Sequence, residues 1–156
     1  MPVLTVDEAG RWAEEQRAAG RRVVFTNGVF DLLHPGHTRY LADARAHGDA
    51  LVVAVNSDRS VRALAKGPDR PVTPEHERAE LLAALAAVDA VVVFDEETPQ
   101  HIVAAIQPDV LVKGADWAED AIVGRDIVEG RGGRVVRVAL ARGYSTTAIL
   151  DRIRMK

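Results

Sequence analysis

Apolar residues fall in two rhythms along this chain. Near-continuous apolar runs rich in valine occur at Arg22 to Thr26, Ala50 to Asn56, Ala90 to Phe94, Asp109 to Val112 and Arg134 to Leu140. Runs without alternation predict strands covered on both faces. The segments between them carry helical spacing and begin near Pro35, Asp58, Pro74, Pro99, Ile122 and Thr146. Thr73-Pro74 and Thr98-Pro99 set proline at the expected first helical position, and Gly48 and Gly132 read as stops. Ahead of the first strand, Thr5-Val6-Asp7-Glu8 has the threonine and glutamate of a capping box, and the helical pattern continues through Ala19 to Gly20.

Strand and helix in alternation predict an α/β fold: a single Rossmann-like domain with a five-stranded parallel sheet flanked by helices. Residues 1–20 are expected to form an N-terminal helix packed on a domain spanning residues 21–156. No repeat, low-complexity tract or second domain is visible. Lys66 to Thr73, with two prolines and one glycine, reads as the mobile loop.

Composition narrows the function classes. The 156 residues include no cysteine, which removes disulfides, thiolate metal sites and cysteine nucleophiles together. Met1 to Gly10 lacks the basic start and apolar core of a signal peptide, and no apolar run approaches the ~20 residues of a membrane helix. A cytoplasmic protein with no membrane partner is therefore expected. The formal charge of -3 argues against a general nucleic-acid binder, so anionic small molecules must be met by local cations.

Unusual polar residues cluster just after the strands. Asn27-Gly28 through His37 follow the first, Asn56-Ser57-Asp58 the second, Lys113-Gly114-Ala115-Asp116-Trp117 the fourth, and Gly143-Tyr144-Ser145-Thr146-Thr147 the fifth. In a parallel sheet all carboxyl ends share one edge, and ligands bind there where strand order reverses. Within the first cluster, His34-Pro35-Gly36-His37 brings two imidazoles to a helix N-terminus, whose free N–H groups and partial positive charge suit an anionic phosphorus centre. Gly36 leaves room for a ligand, and Asp31 adds a carboxylate nearby.

Ser145-Thr146-Thr147 supplies more hydroxyls than one N-cap needs and reads as a second phosphate cradle. There is no GxxxxGK[ST] loop and no GxGxxG after a strand. A zinc site is the weaker reading of the histidines, since no third ligand such as an HExxH glutamate accompanies them. Lys66 and Arg78 are compatible with plain exposed cations. Lys113 ends a strand beside the expected crevice, and Trp117 can cover a base or pack the loop.

The stretch from Gly28 to His37 closely resembles the signature of the cytidylyltransferase-like nucleotidyltransferases, whose HxGH motif and later serine-threonine motif both have counterparts here. Thr26-Asn27-Gly28, Val55-Asn56-Ser57-Asp58, Asp69-Arg70-Pro71-Val72, Val110-Leu111-Val112-Lys113-Gly114 and Tyr144-Ser145-Thr146-Thr147 look most like the D-glycero-beta-D-manno-heptose 1-phosphate adenylyltransferases. Glycerol-3-phosphate cytidylyltransferases share the histidine motif, a helix arginine matching Arg78 and the Asp116-Trp117 pair. Their pattern has an arginine three residues before the glycine of the serine-threonine motif, where this chain has Leu140.

The resemblance implies a nucleotidyltransferase domain over residues 21–156 that moves an adenylyl group from ATP to heptose 1-phosphate. It implies catalytic roles for His34, His37 and Lys66. Nucleotide contacts are implied for Asn27, Gly28, Val29, Phe30 and Gly36, then for Arg78, Lys113, Gly114 and Asp116, and finally for Gly143, Ser145, Thr146 and Thr147. Asp31, Asn56 and Trp117 are implied on the acceptor side. Magnesium is expected mainly through the triphosphate, with no resident metal and Asp31 the carboxylate placed to assist, and a homodimer is the family expectation. Two other readings stay open at this level: a nucleotide-binding module without chemistry, and a metal-dependent phosphate hydrolase.

Overall fold

Valine-rich stretches form the centre of the molecule because both faces of the sheet are covered. A computed structural model describes residues 3–156, so the first two residues of the expected N-terminal unit lie outside it. The strands are β1 (Val3–Leu4), β2 (Val23–Gly28), β3 (Ala50–Asn56), β4 (Ala90–Phe94), β5 (Val110–Gly114) and β6 (Arg134–Val138). All pair in parallel, in the order β1-β4-β3-β2-β5-β6.

The sheet thus has six strands rather than the expected five. The extra one is the two-residue β1, which pairs Val3 with Val91 and Leu4 with Val92 on the outer edge of β4. Two residues are too few to show a period, and an edge pairing of this kind covers backbone groups that would otherwise face solvent.

The helices are α1 (Val6–Ala18), α2 (Pro35–Arg45), α3 (Asp58–Ala63), α4 (Glu75–Ala83), α5 (Gln100–Ile106), α6 (Arg125–Gly130) and α7 (Thr146–Arg154). The capping box at Thr5 and Glu8 forms in full. At the other end of α1, Gly20 has φ 76°, with Gly20 N donating to Arg17 O and Arg21 N to Gln16 O, the Schellman pattern that favours glycine. Pro74 and Pro99 occupy the N-cap positions, one residue before the expected place, and their carbonyls accept from Arg78 N and Val103 N. The helix expected near Ile122 begins at Arg125, because Ile122 is drawn into the core after a 3-10 turn at Glu119–Ala121.

Two apolar layers flank the sheet. Leu41, Ala44, Leu82 and Val88 pack on the face formed by Val24, Val53 and Val91. On the other face, Ala9 and Ala13 of α1 join Ile102, Val103 and Ile106 of α5 over Phe25, Val52 and Leu111. The N-terminal helix therefore contributes to the apolar layer on that face of the sheet. No helix among the described residues is long and apolar enough to cross a membrane.

Strand order reverses at β2, which has β3 on one side and β5 on the other. The carboxyl ends of β2 and β5 consequently open a crevice at a topological switch point, the position where parallel sheets bind ligands.

Candidate active site

A cleft of about 370 Å³ fills that crevice. Its floor is the end of β2, where Asn27 and Gly28 are the last strand residues rather than the start of a loop. Val29, Phe30 and Asp31 continue the wall toward α2, and Lys113, Gly114, Asp116 and Trp117 come from the end of β5. Ser145, Thr146 and Thr147 close the far side at the start of α7, and Lys66 reaches in from the loop after α3.

His34 is the N-cap of α2 and makes no side-chain capping bond, so its ring is not consumed by the helix end. Pro35 has no N–H to leave unpaired, an arrangement suited to the first helical position. One helical turn brings His37 under His34: the rings stack with centroids 3.7 Å apart and planes inclined by 19°. Both Nδ1 atoms are buried without a hydrogen-bond partner, as is Oδ1 of Asn27. Three buried polar atoms around one cleft are costly unless a ligand satisfies them.

Burial drives the His37 ring down to about 4, with the neighbouring His34 adding to the effect. Burial also lowers His34. Both rings are therefore neutral near pH 7, and each offers one N–H donor. Gly36 between them is required by space. A Cβ there would lie 2.9 Å from Cε1 and Nδ1 of His34 and from Cβ of Tyr144.

At α7, Ser145 Oγ accepts from Ala148 N at 2.9 Å, which is the ordinary capping bond. Its own proton stays available for donation. Thr146 is buried, its hydroxyl aimed at Leu32 O at 3.4 Å, so α7 is tied to the segment that leads into His34. Thr147 is exposed on the cleft side. Gly143 lies just outside the lining with φ 83°, forming the turn into the cap.

Lys113 is held 4.8 Å above the Trp117 ring. Burial lowers its ammonium to about 8, while Asp116 pulls the other way and Lys66 reinforces the drop. An anion entering the cleft reverses that cost, because the charge then has a partner.

Three residues sit differently from the expectation. Arg78 is not an exposed cation and does not line the cleft: it is 0% exposed, behind the wall. Its guanidinium donates to Thr73 O, Val29 O, Asn56 O and Asp58 Oδ1, so it fastens three chain segments around the site. Asp31 lines the cleft, but both its oxygens are engaged by Val72 N, with Thr73 N on Oδ1 and Arg70 Nε on Oδ2. Asn56 opens onto a neighbouring chamber instead of the main cleft.

Five lining residues lie outside the candidate set drawn from the sequence: Tyr40, Arg70, Leu140, Ala141 and Tyr144. Tyr40 stands three residues after His37 on the same helix face, a spacing that could have flagged it. Its hydroxyl shares a 2.7 Å hydrogen bond with Thr26 Oγ1, and burial pushes it up to about 12. Tyr144 flanks His34 at 6.1 Å between ring centroids. Arg70 lies in the segment Asp69-Arg70-Pro71-Val72 that carried the resemblance, but its place in the cleft wall comes from its partner Asp31.

No group of three or more His, Cys, Asp or Glu side chains among the described residues could hold an ion. Asp31, the carboxylate expected to assist, accepts from Arg70 Nε, Val72 N and Thr73 N, and Asp116 also lines the cleft.

A parallel doubly wound sheet with paired imidazoles and a hydroxyl-rich helix start at its switch point defines a nucleotidyltransferase. The chain belongs to the cytidylyltransferase-like family, whose model matches residues 25–152. It is 55% identical over 150 residues to the Bifunctional protein HldE of Hyphomonas neptunium, covering 96% of this chain and 31% of that protein. With the Bifunctional protein HldE of Acidiphilium cryptum it shares 55% identity over 152 residues, 97% of this chain and 31% of the relative. The chain thus spans about a third of the length of these relatives. Among solved structures, a lipopolysaccharide core biosynthesis protein from Thermoplasma volcanium GSS1 superimposes with a TM-score of 0.68 at 30% identity, covering 78% of this chain and 99% of that one.

Proposed function

We propose that this protein transfers the adenylyl group of ATP to D-glycero-beta-D-manno-heptose 1-phosphate, releasing pyrophosphate and forming ADP-heptose. The observation that carries the reading is the stacked His34–His37 pair on the same cleft as Ser145, Thr146 and Thr147. The choice of heptose and ATP rests on the motif segments that resemble the heptose adenylyltransferases, with Leu140 standing where the glycerol-3-phosphate enzymes have arginine. The high identity to HldE proteins supports the same choice.

The triphosphate lies between the N-termini of α2 and α7. An oxygen of the acceptor phosphate attacks the α-phosphorus in line, a new oxygen–phosphorus bond forms, and the bond to the β-phosphate oxygen breaks with its electron pair leaving on pyrophosphate. The nucleophile is already anionic, so no general base is needed. His34 and His37 act as preorganised donors to phosphate oxygens, Lys66 and Lys113 neutralise charge at the reacting group, and Ser145 and Thr147 hold the leaving phosphates. Magnesium would screen the triphosphate through substrate oxygens and water. Both substrates are intracellular metabolites in this reading, which places the enzyme in the cytoplasm.

Incubation with each of the four common nucleoside triphosphates, against heptose 1-phosphate and glycerol 3-phosphate, tests the proposal by pyrophosphate release. Turnover with ATP and heptose 1-phosphate is expected. Preferential use of CTP with glycerol 3-phosphate would replace it with the polyol reading, and binding of ATP with no release under any pairing would replace it with a non-catalytic module.

A further inference from the structure

A second chamber of about 270 Å³ opens beside the main cleft and shares with it Asn27, Gly28, Val29, Lys66, Lys113 and Trp117. Beyond this common wall its character changes. Leu64, Pro99 and Val123 supply an apolar lining, and Asn56, Glu97 and Thr98 supply the polar groups. The chamber is therefore cationic at the end that meets the cleft and carries a carboxylate, an amide and a hydroxyl elsewhere.

The wall bearing Glu97 is built, not incidental. Ser57 N donates to Phe94 O at 2.8 Å, and Ser60 Oγ donates to Glu96 O at 3.0 Å, which ties the β4–α5 turn to the end of β3. Asn56 Nδ2 donates to Ser60 Oγ at 2.9 Å, and Arg78 holds the Asn56 carbonyl. Asn56 is 4% exposed, its Nδ2 is used in that bond, and the residue borders the chamber. An amide oxygen accepts hydrogen bonds, so a hydroxylated ligand in the chamber can meet it.

Charge decides which substrate goes where. Glu97 repels a triphosphate, whereas a carboxylate accepts hydrogen bonds from neighbouring hydroxyls. The volume falls just below the range typical of drug-sized ligands and suits a single sugar ring. Resting on the transfer reaction above, we propose that this chamber is the acceptor subsite. It takes a phosphorylated polyhydroxy compound with its phosphate at Lys66 and Lys113 and its hydroxyls at Asn56 and Glu97, and Glu97 sets acceptor specificity.

Glu97 is exposed, so its replacement spares the core. Kinetics and calorimetric titration of heptose 1-phosphate, with a non-hydrolysable ATP analogue present in the titration, compare the unaltered protein with Glu97→Ala and Glu97→Gln. Loss of hydrogen bonds to a charged group is expected to raise the KM and Kd for heptose 1-phosphate roughly 10- to 100-fold, with KM for ATP within about twofold. The shorter glycerol 3-phosphate, which cannot reach as far, should respond less. Unchanged heptose phosphate affinity in Glu97→Ala, or an equal rise in KM for ATP, overturns the subsite while leaving the transfer reaction intact. Conversely, Glu97-dependent binding of heptose 1-phosphate without pyrophosphate release keeps the subsite and removes the reaction, and no binding by the unaltered protein overturns the subsite outright.

Discussion

Arg70 and Asp31 are joined across the wall of the cleft, with the guanidinium Nε donating to Oδ2 of a carboxylate that is 2% exposed. Val72 N and Thr73 N donate to the same carboxylate, each at 2.9 Å to Oδ1. The β2–α2 segment thereby holds down the end of the loop that carries Lys66. What looked like a mobile loop with a free carboxylate nearby is a loop pinned by that carboxylate.

Asp31→Ala should release it. Breaking a buried pair by removing one partner leaves Arg70 uncompensated and is expected to cost about 3 kcal/mol. Hydrogen exchange should accelerate at Val72 and Thr73, and turnover should fall because Lys66 loses its position. Retained protection at those two amides would rule out the latch.

His37 is expected to stay neutral well into the acid range. Its folded value of about 4 lies below the ordinary 6.5, chiefly through burial. The unfolded chain therefore binds a proton that the folded one refuses, so this contribution to stability is complete above pH 6.5 and declines as pH falls toward 4. Imidazole NMR of the ligand-free protein should show no His37 titration near 6.5. A midpoint there would contradict a buried neutral donor.

Gly36→Ala separates chemistry from folding. Alanine favours a helix over glycine by about 1 kcal/mol, so a purely structural position would gain stability. Here the added Cβ meets the His34 ring at 2.9 Å and must displace it. Turnover should drop toward that of His37→Ala, for which a loss of roughly 100- to 1000-fold is expected from one missing preorganised donor. Full activity in folded Gly36→Ala would show that the ring position is immaterial.

Nucleotide binding should take up a proton in mildly alkaline solution. The Lys113 ammonium, lowered to about 8 mainly by burial, is largely neutral at pH 9 in the free protein. A bound triphosphate restores the charged form by pairing with it. Calorimetry of ATP binding at pH 9 in two buffers of different ionisation enthalpy should give different apparent enthalpies, and Lys113→Met should remove most of the difference. Identical enthalpies in the unaltered protein would place Lys113 away from the phosphates.

Local signals carried most of the fold. The capping box at Thr5 and Glu8, the stop at Gly20 and the valine runs of β2 to β6 each depend on residues within a few positions of one another, and each appears where its pattern lies. The rule that parallel strands share one carboxyl edge was enough to bring His34, Lys113 and Ser145 to one cleft, which Lys66 joins from the loop after α3. The edge strand β1 was beyond reach, because its two residues take their conformation from β4 rather than from any period of their own.

Charged groups divide the same way. The amino-acid pattern by itself determined an α/β domain with imidazoles, lysines and hydroxyls gathered at the strand ends. Only the tertiary structure decided that Arg78 is a buried clamp, that Asp31 binds Arg70 and two backbone amides, and that Asn56 faces a second chamber with Glu97. A side chain's charge is written in its residue type, but its solvation and partners come from segments up to 49 residues away in the chain for these three residues. Those distant partners, not the residue itself, set the energy of burying it.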